Sequence, residues 1–402
     1  FKEYMVVLQK GTYRKEDDEI ASFISLKDEL TLESVSELIN SIKQNEPSDL
    51  YILKQIPTKL AYSTTEWRCL FLKQADLIQT LLSHRQFKSY GKLHKEKKEN
   101  MRIFRGFDAT YADFLMIPNK WWNIESDEPD FLRISLNSDE TDKKVISIPK
   151  RYVVASIRRT ATADEVVNAP DSYVINLNPS IIKSDPELNE FHSGYLKFMQ
   201  TKIEEQWLED KKKGHKRVEV PDGWYAHPNR YQCAKTVGNL FHFYKYAIKT
   251  RKTVAPYSEA VSSIHFGFGY IVQTQNSLFY ASWMNSSFYY YTLFQNQQLF
   301  TKSFFKMTIA NFQSVILPDY NLFANENSEL LPQYQIVIEK FKEFAKNRGE
   351  SMPFLPVQFK SRYKPRIELD LAWLKIIGYN EAESEKIIDQ LYDWLLDYIE
   401  YR

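Results

Sequence analysis

With 402 residues, 43% of them hydrophobic and 26% charged, the chain has the composition of a globular protein large enough for two or three cores, and a low-complexity or disordered reading is excluded. A net charge of +1 excludes a uniformly basic protein, so any site for a polyanion must rest on where the charges lie. Eleven glycines leave little material for Gly-rich phosphate loops, and no apolar run approaches the ~20 residues of a membrane span.

The two cysteines, Cys69 and Cys233, lie far apart, which argues against a disulfide framework and for a reducing, cytoplasmic setting. No signal-peptide pattern is read at the start, and the sequence opens on Phe1 inside a strand-like run. The expectation is a piece of a longer protein with a further region N-terminal to it.

In chain order, Tyr4 to Leu8 reads as a buried strand. Leu32, Val35, Leu38, Ile39 and Ile42 form one face of a helix capped by Thr31. Leu50 to Ile56 is a short apolar stretch, residues 58–66 read as a linker, and Gln74 to His84 is helical by spacing. Arg85 to Arg105 carries eight bases against two acids, a net of +6, and reads either as a solvated face or as an edge that meets phosphates.

From Met101 to about Ile182 the segments MRIFRGF, DFLMIP, FLRISL, KVISIP, RYVVASI and SYVINL predict short strands in a mixed or antiparallel region. Glu187 to Asp210 is helical, and the cluster Lys211, Lys212, Lys213, Lys216 and Arg217 follows acids that would screen it. Trp224 to Arg230 reads as a turn-rich loop. Phe241 to Lys252 interleaves aromatic and basic residues, a pattern that suits contact with bases and phosphates and suits an amphipathic edge about equally well.

Leu278 to Pro318 is the most aromatic stretch and reads as core: two apolar segments interrupted by Asn285-Ser286, either of which suits the N-cap of the second. Beyond Pro318, Tyr334 to Ala345 is a helix, residues 352–365 read as a Pro-broken extended linker, and Arg366 to Arg402 is a helical pair split at Gly378. That last segment holds nine acids and four bases, so an acidic end offsets a basic middle.

The residues offer no catalytic constellation. The seven histidines show no metal-helix spacing, and His227, Cys233 and His242 match no zinc pattern. No Walker loop or Gly-x-Ser-x-Gly elbow occurs. Phe266-Gly267-Phe268-Gly269 reads as a strand or bulge that needs small residues rather than as a nucleotide loop. Lys120-Trp121-Trp122 reads as a packed strand edge or, more sharply, as a nucleic-acid contact.

Several stretches together resemble the TaqI-like and type IIG class of N6-adenine-specific DNA methyltransferases. FKEYMVVLQKG is similar to one of the last strands of their catalytic domain. Leu278 to Pro318 resembles the signature of their target-recognition domain, with Asn285-Ser286 before an aromatic helix and Val315-Ile316-Leu317-Pro318 at its end. RIELDLAWLKIIGY and LYDWLLDYIEYR are similar to their C-terminal helical end, with Arg366-x-x-x-Asp370 before the break at Gly378. MRIFRGFDATYADFLMI resembles the segment that opens the recognition domain, although the usual second glycine is missing after Gly106. The class's Asn-Pro-Pro-Tyr loop and its S-adenosylmethionine glycine motif are absent, as expected of a chain that starts downstream of them.

The resemblance implies an α+β fold: residues 1–65 end the catalytic domain, 66–325 form a β-rich target-recognition domain with packed helices, and 326–402 form a C-terminal helical region. It implies sequence-specific recognition of double-stranded DNA for methyl transfer to a flipped adenine, with S-adenosylmethionine and the catalytic residues supplied by the upstream region. The chain alone is then expected to be inactive and to bind neither cofactor nor metal. Arg102, Arg105, Lys249, Arg251 and Lys252 are the expected DNA contacts, with Lys95, Lys97, Lys98, Lys302 and Lys306 at phosphates. Two rival readings remain: a specificity subunit that serves a separate catalytic chain, and an RNA- or protein-binding scaffold. No membrane partner is expected, and the oligomeric state is not legible.

Overall fold

The computed structural model describes residues 84, 86–95, 101–106, 112–137, 144–158, 165–177, 184–214, 239–261, 263–264, 269–296, 298–301, 304–323 and 328–400, together with 4–7, 20–26, 35–37, 39–40, 44 and 51–57. The fold is α+β, with several small sheets followed by a helical C-terminal segment. The expected linker at 58–66, the helix at 74–83, the loop at 224–230, Cys69 and Cys233, and Lys97, Lys98 and Lys302 lie outside the described residues.

Near the N-terminus, β1 (Tyr4–Val7), β2 (Ile20–Leu26) and β3 (Tyr51–Pro57) form an antiparallel sheet in the order β1-β2-β3. The short apolar stretch after Leu50 is thus a strand. Within the +6 run, β4 (Phe87–Ser89) leads into α1 (Tyr90–Lys95), and β5 (Arg102–Arg105) follows.

Residues 112–203 build a core of their own. Here α2 (Ala112–Leu115) runs into β6 (Met116–Ile117), so the segment DFLMIP is half helical turn and half strand. The meander β7 (Trp122–Asp127), β8 (Phe131–Leu136) and β9 (Val145–Pro149) buries alternate residues, as a sheet with one wet face requires. β10 (Val153–Ile157) and β11 (Ser172–Ile175) extend β6 into a second sheet. Helix α3 (Lys197–Lys212) seals this core with Met199 and Ile203. The Trp pair divides: Trp122 is fully buried, whereas Trp121 stacks on Phe114 and takes Lys120 over its ring.

The larger core runs from Phe87 to Ile399 and is built mainly from residues 240–399. β12 (Leu240–Phe243), β13 (Lys245–Tyr246) and β14 (Ser263–Ile264) precede β15 (Gly269–Gln273), the centre of the sheet β12-β15-β5. β14 joins the other core's sheet beside β10. Gly269 pairs with Phe243 at the end of this ladder, and a Cβ there would overlap the His242 carbonyl. The requirement for a small residue read from Phe266-Gly267-Phe268-Gly269 is therefore met at Gly269. Gly269→Ala should force the two strands apart and lower stability by about 1–3 kcal/mol, measurable as a drop in the thermal midpoint.

The aromatic stretch forms α4 (Ser277–Met284), α5 (Ser287–Asn296), the hairpin β16 (Gln298–Thr301) and β17 (Phe304–Lys306), a helical turn α6 (Ile309–Phe312), and β18 (Ile316–Pro318), which pairs with β4. Trp283 is fully buried between Phe87 and Trp373, and its Nε1 donates to the Ile316 carbonyl at 2.9 Å. The stretch is core, as its composition predicts.

The C-terminal helices α7 (Leu331–Lys346), α8 (Leu355–Lys360), α9 (Lys364–Ile377) and α10 (Glu381–Glu400) pack on α4 and α5 within the same core, which therefore runs on across residue 326. The expected extended linker at 352–365 instead holds helix α8 at Leu355–Lys360 and the start of α9 at Lys364. Pro356 stands in its first turn, where a missing N–H costs nothing. Gly378 ends α9 at φ 99°, the left-handed position that splits the helical pair.

Candidate nucleic-acid interface

Two motifs from opposite ends of the chain meet in this core. Ser286 caps α5 by accepting from the Tyr289 amide at 3.4 Å, as the sequence suggests. Asn285 does something longer-ranged: its Nδ2 donates to the carbonyls of Ala255 and Ala281, and its Oδ1 accepts from the Thr253 hydroxyl at 2.6 Å. Its own carbonyl accepts from Arg366 Nη1 at 2.6 Å. Arg366 is fully buried, donates from Nε to Gln358 at 2.6 Å, and sits against the rings of Tyr290, Phe344 and Phe359.

One helical turn on, Asp370 accepts from the Ser287 amide at 2.9 Å and from the Tyr392 hydroxyl at 2.8 Å. It thus places a carboxyl group at the N-terminus of α5, where the helix dipole favours negative charge. Burial pushes the Asp370 carboxyl up, against the opposing pull of Arg366 and of the donors from Ser287 and Tyr392. The whole arrangement is closed to solvent and holds helices in register; it is a scaffold.

The surface carried on that scaffold lies where the sheets β12-β15-β5 and β13-β17-β16 adjoin. The connection is Tyr244, the residue between β12 and β13, whose carbonyl accepts from the Met307 amide at 2.9 Å. The Arg105 guanidinium stands 4.6 Å from the Tyr244 ring, and the ammonium groups of Lys245 and Lys306 each stand 5.6 Å from it. Tyr270 meets Tyr244 edge-on at 5.9 Å and faces Arg105 across the β15–β5 ladder. Burial raises the Tyr270 hydroxyl pKa, and Arg105 pulls it back.

Lys245 and Lys306 are direct partners across the β13–β17 ladder. Like charges placed opposite each other on adjacent strands are destabilising. The three cations share one aromatic ring, and their combined field suits a polyanion.

The expected contacts divide as follows. Arg105 and Lys306 join this face. Arg102, three residues from Arg105 on a strand whose side chains alternate, points to the opposite face. There its charge acts on the Tyr90 hydroxyl, whose pKa burial raises and Arg102 partly restores. Lys95 is exposed in the last turn of α1, beside Lys92 and His94. Lys249 is exposed on a short 3-10 turn, and Arg251 lies 4.6 Å over Phe243 rather than Tyr244.

Lys252 must be corrected. It is 8% exposed, pairs with Glu165 at 2.7 Å and donates to the Gly349 carbonyl at 2.8 Å, so it ties the chain together and does not reach a ligand. Lys88, within the +6 run, is likewise held by the buried Asp319 at 2.9 Å. Lys213 pairs with Glu209 at 3.8 Å, the screening expected of the 211–217 cluster.

Tyr244 and Tyr270 carry no sequence signal that separates them from the chain's many other aromatics. Lys245 is legible only as one of four bases in the interleaved run. His242, the described member of the His227, Cys233 and His242 group, is fully buried; its pKa falls to about 4 through burial, which leaves it neutral at physiological pH. Gly269, the described glycine of Phe266-Gly267-Phe268-Gly269, is taken up by strand packing. Among the described residues no helix is long and apolar enough to cross a membrane. No protein-family model and no curated protein matches the chain.

Proposed function

We propose that this chain is the DNA-recognition part of a cytoplasmic, site-specific N6-adenine DNA methyltransferase of a restriction-modification system. The observation that carries DNA binding is the convergence of Arg105, Lys245 and Lys306 on Tyr244, with the two lysines opposed across one ladder. The methyltransferase assignment rests on the sequence resemblance. It is supported by the contact between two stretches that carry it: Arg366-x-x-x-Asp370 docks on Asn285-Ser286-Ser287 at the junction of α4 and α5.

In this reading Arg105, Lys245 and Lys306 on the Tyr244 face hold phosphates, and the buried helices keep that face in place. S-adenosylmethionine supplies the methyl group when bound by the upstream region, and no residue of this chain is assigned a part in the transfer.

A titration of the chain against a labelled duplex by fluorescence anisotropy, repeated across salt concentrations, tests the binding. With three phosphate contacts, log Kd should rise with log salt at a slope of about 2.7 or steeper. Absence of binding at low salt, or a flat salt dependence, would overturn the reading and favour a protein-binding scaffold.

A further inference from the structure

We propose that the cleft between α7, α9 and the start of α10 binds a small zwitterion with an apolar body, of the class of a free apolar α-amino acid. The inference does not rest on the DNA-binding reading, and the cleft shares no residue with the Tyr244 face. The cleft holds about 430 Å³, within the range of small-molecule sites. Its apolar lining comes from Ile336 of α7 and from Leu371 and Ala372 of α9.

Part of the polar lining is already engaged. Lys340 is held by Glu368 at 3.2 Å and by Glu343 at 2.8 Å. At the start of α10, the Asn380 amide donates to the Glu383 carboxylate at 3.2 Å, and the Glu383 amide donates to Asn380 Oδ1 at 3.0 Å.

Three groups on the cleft wall are left over. Lys375, from the last turn of α9, and Glu381, from the first turn of α10, form no ion pair with each other or with any other described residue. Ser384 is only 3% exposed, yet its hydroxyl makes no hydrogen bond among the described residues. A hydroxyl so enclosed and unpaired is costly unless something in the cleft meets it.

These features narrow the occupant. Two lysines and two glutamates line the cleft, so a polyanion finds no net positive field there. A wholly apolar molecule would take Lys375, Glu381 and the Ser384 hydroxyl out of water with nothing to pair them. A zwitterion brings one charge for each free side chain. Its carboxylate accepts from Lys375 and from the Ser384 hydroxyl, and its ammonium donates to Glu381. Its apolar side chain then covers Ile336, Leu371 and Ala372.

Isothermal titration calorimetry of the chain with L-leucine and L-phenylalanine tests this, with three analogues of leucine as probes of each part. These are 4-methylpentanoate, which lacks the ammonium, isoamylamine, which lacks the carboxylate, and glycine, which lacks the apolar body. At least one of the two amino acids should bind, and each analogue should bind at least about tenfold more weakly than leucine or not at all. Lys375→Gln and Glu381→Gln should each weaken the amino acid by about tenfold. Both positions are exposed, so the thermal midpoint without ligand should stay unchanged. Binding of neither amino acid overturns the proposal. So does an analogue that matches leucine, or wild-type affinity in both variants.

Discussion

Arg366→Ala should lower the unfolding free energy by about 3–5 kcal/mol. The guanidinium is fully buried, so its removal leaves the Asn285 carbonyl and Gln358 Oε1 without their donor and opens a space between three rings. It also strips the nearby positive charge from Asp370, whose carboxyl burial already pushes up.

Typical domains hold only about 5–15 kcal/mol in all, so a loss of this size should show as a large fall in the urea midpoint. Arg366→Lys should recover little. An ammonium cannot present two planar N–H donors to the Asn285 carbonyl and Gln358 at once. Asp370→Ala removes the acceptor at the start of α5, and the double variant should cost less than the two single costs added, because both act on one buried network. Strict additivity, or a change below about 1 kcal/mol for Arg366→Ala, would show that the two helices are not held together through these residues.

What the sequence revealed and what it hid divide along the range of the interactions. Local rules sufficed where both partners lie within a turn. Ser286 caps the helix that starts at Ser287, Gly378 splits the last helical pair, and the alternation in FLRISL and KVISIP gives strands. The rule failed at 352–365, because Pro353 and Pro356 read as breakers while Pro356 occupies the one part of a helix that tolerates it.

Long-range partners were not legible. Lys252 sits in a run of bases that looks solvent-facing, yet Glu165 and Gly349, each about ninety residues away, draw it inward. The role of Asn285 depends on Thr253 and Arg366, which no spacing rule connects to it. The Tyr244 site suffers the same way. Its three cations come from β5, β13 and β17, and only strand pairing brings them to one ring.

The triple variant Arg105→Ala, Lys245→Ala, Lys306→Ala should bind duplex DNA about two to three orders of magnitude more weakly at 0.1 M salt, with a salt slope shallower by about 2.7. Each phosphate contact releases close to one condensed counterion, so the loss of three lowers both quantities together. Folding stability is expected to change by less than about 0.5 kcal/mol per residue, the usual range for surface substitutions.

A lost salt slope at nearly unchanged stability separates a binding role from a structural one. Residues retained for packing would lower stability when removed and leave the salt slope alone. Lys252→Ala supplies the matching control: it should destabilise by about 1–3 kcal/mol by taking the ammonium donor from Glu165 and from the Gly349 carbonyl, with the salt slope unchanged. If the triple variant keeps the wild-type slope, or if Lys252→Ala flattens it, the duplex lies on another face of the molecule than the one around Tyr244.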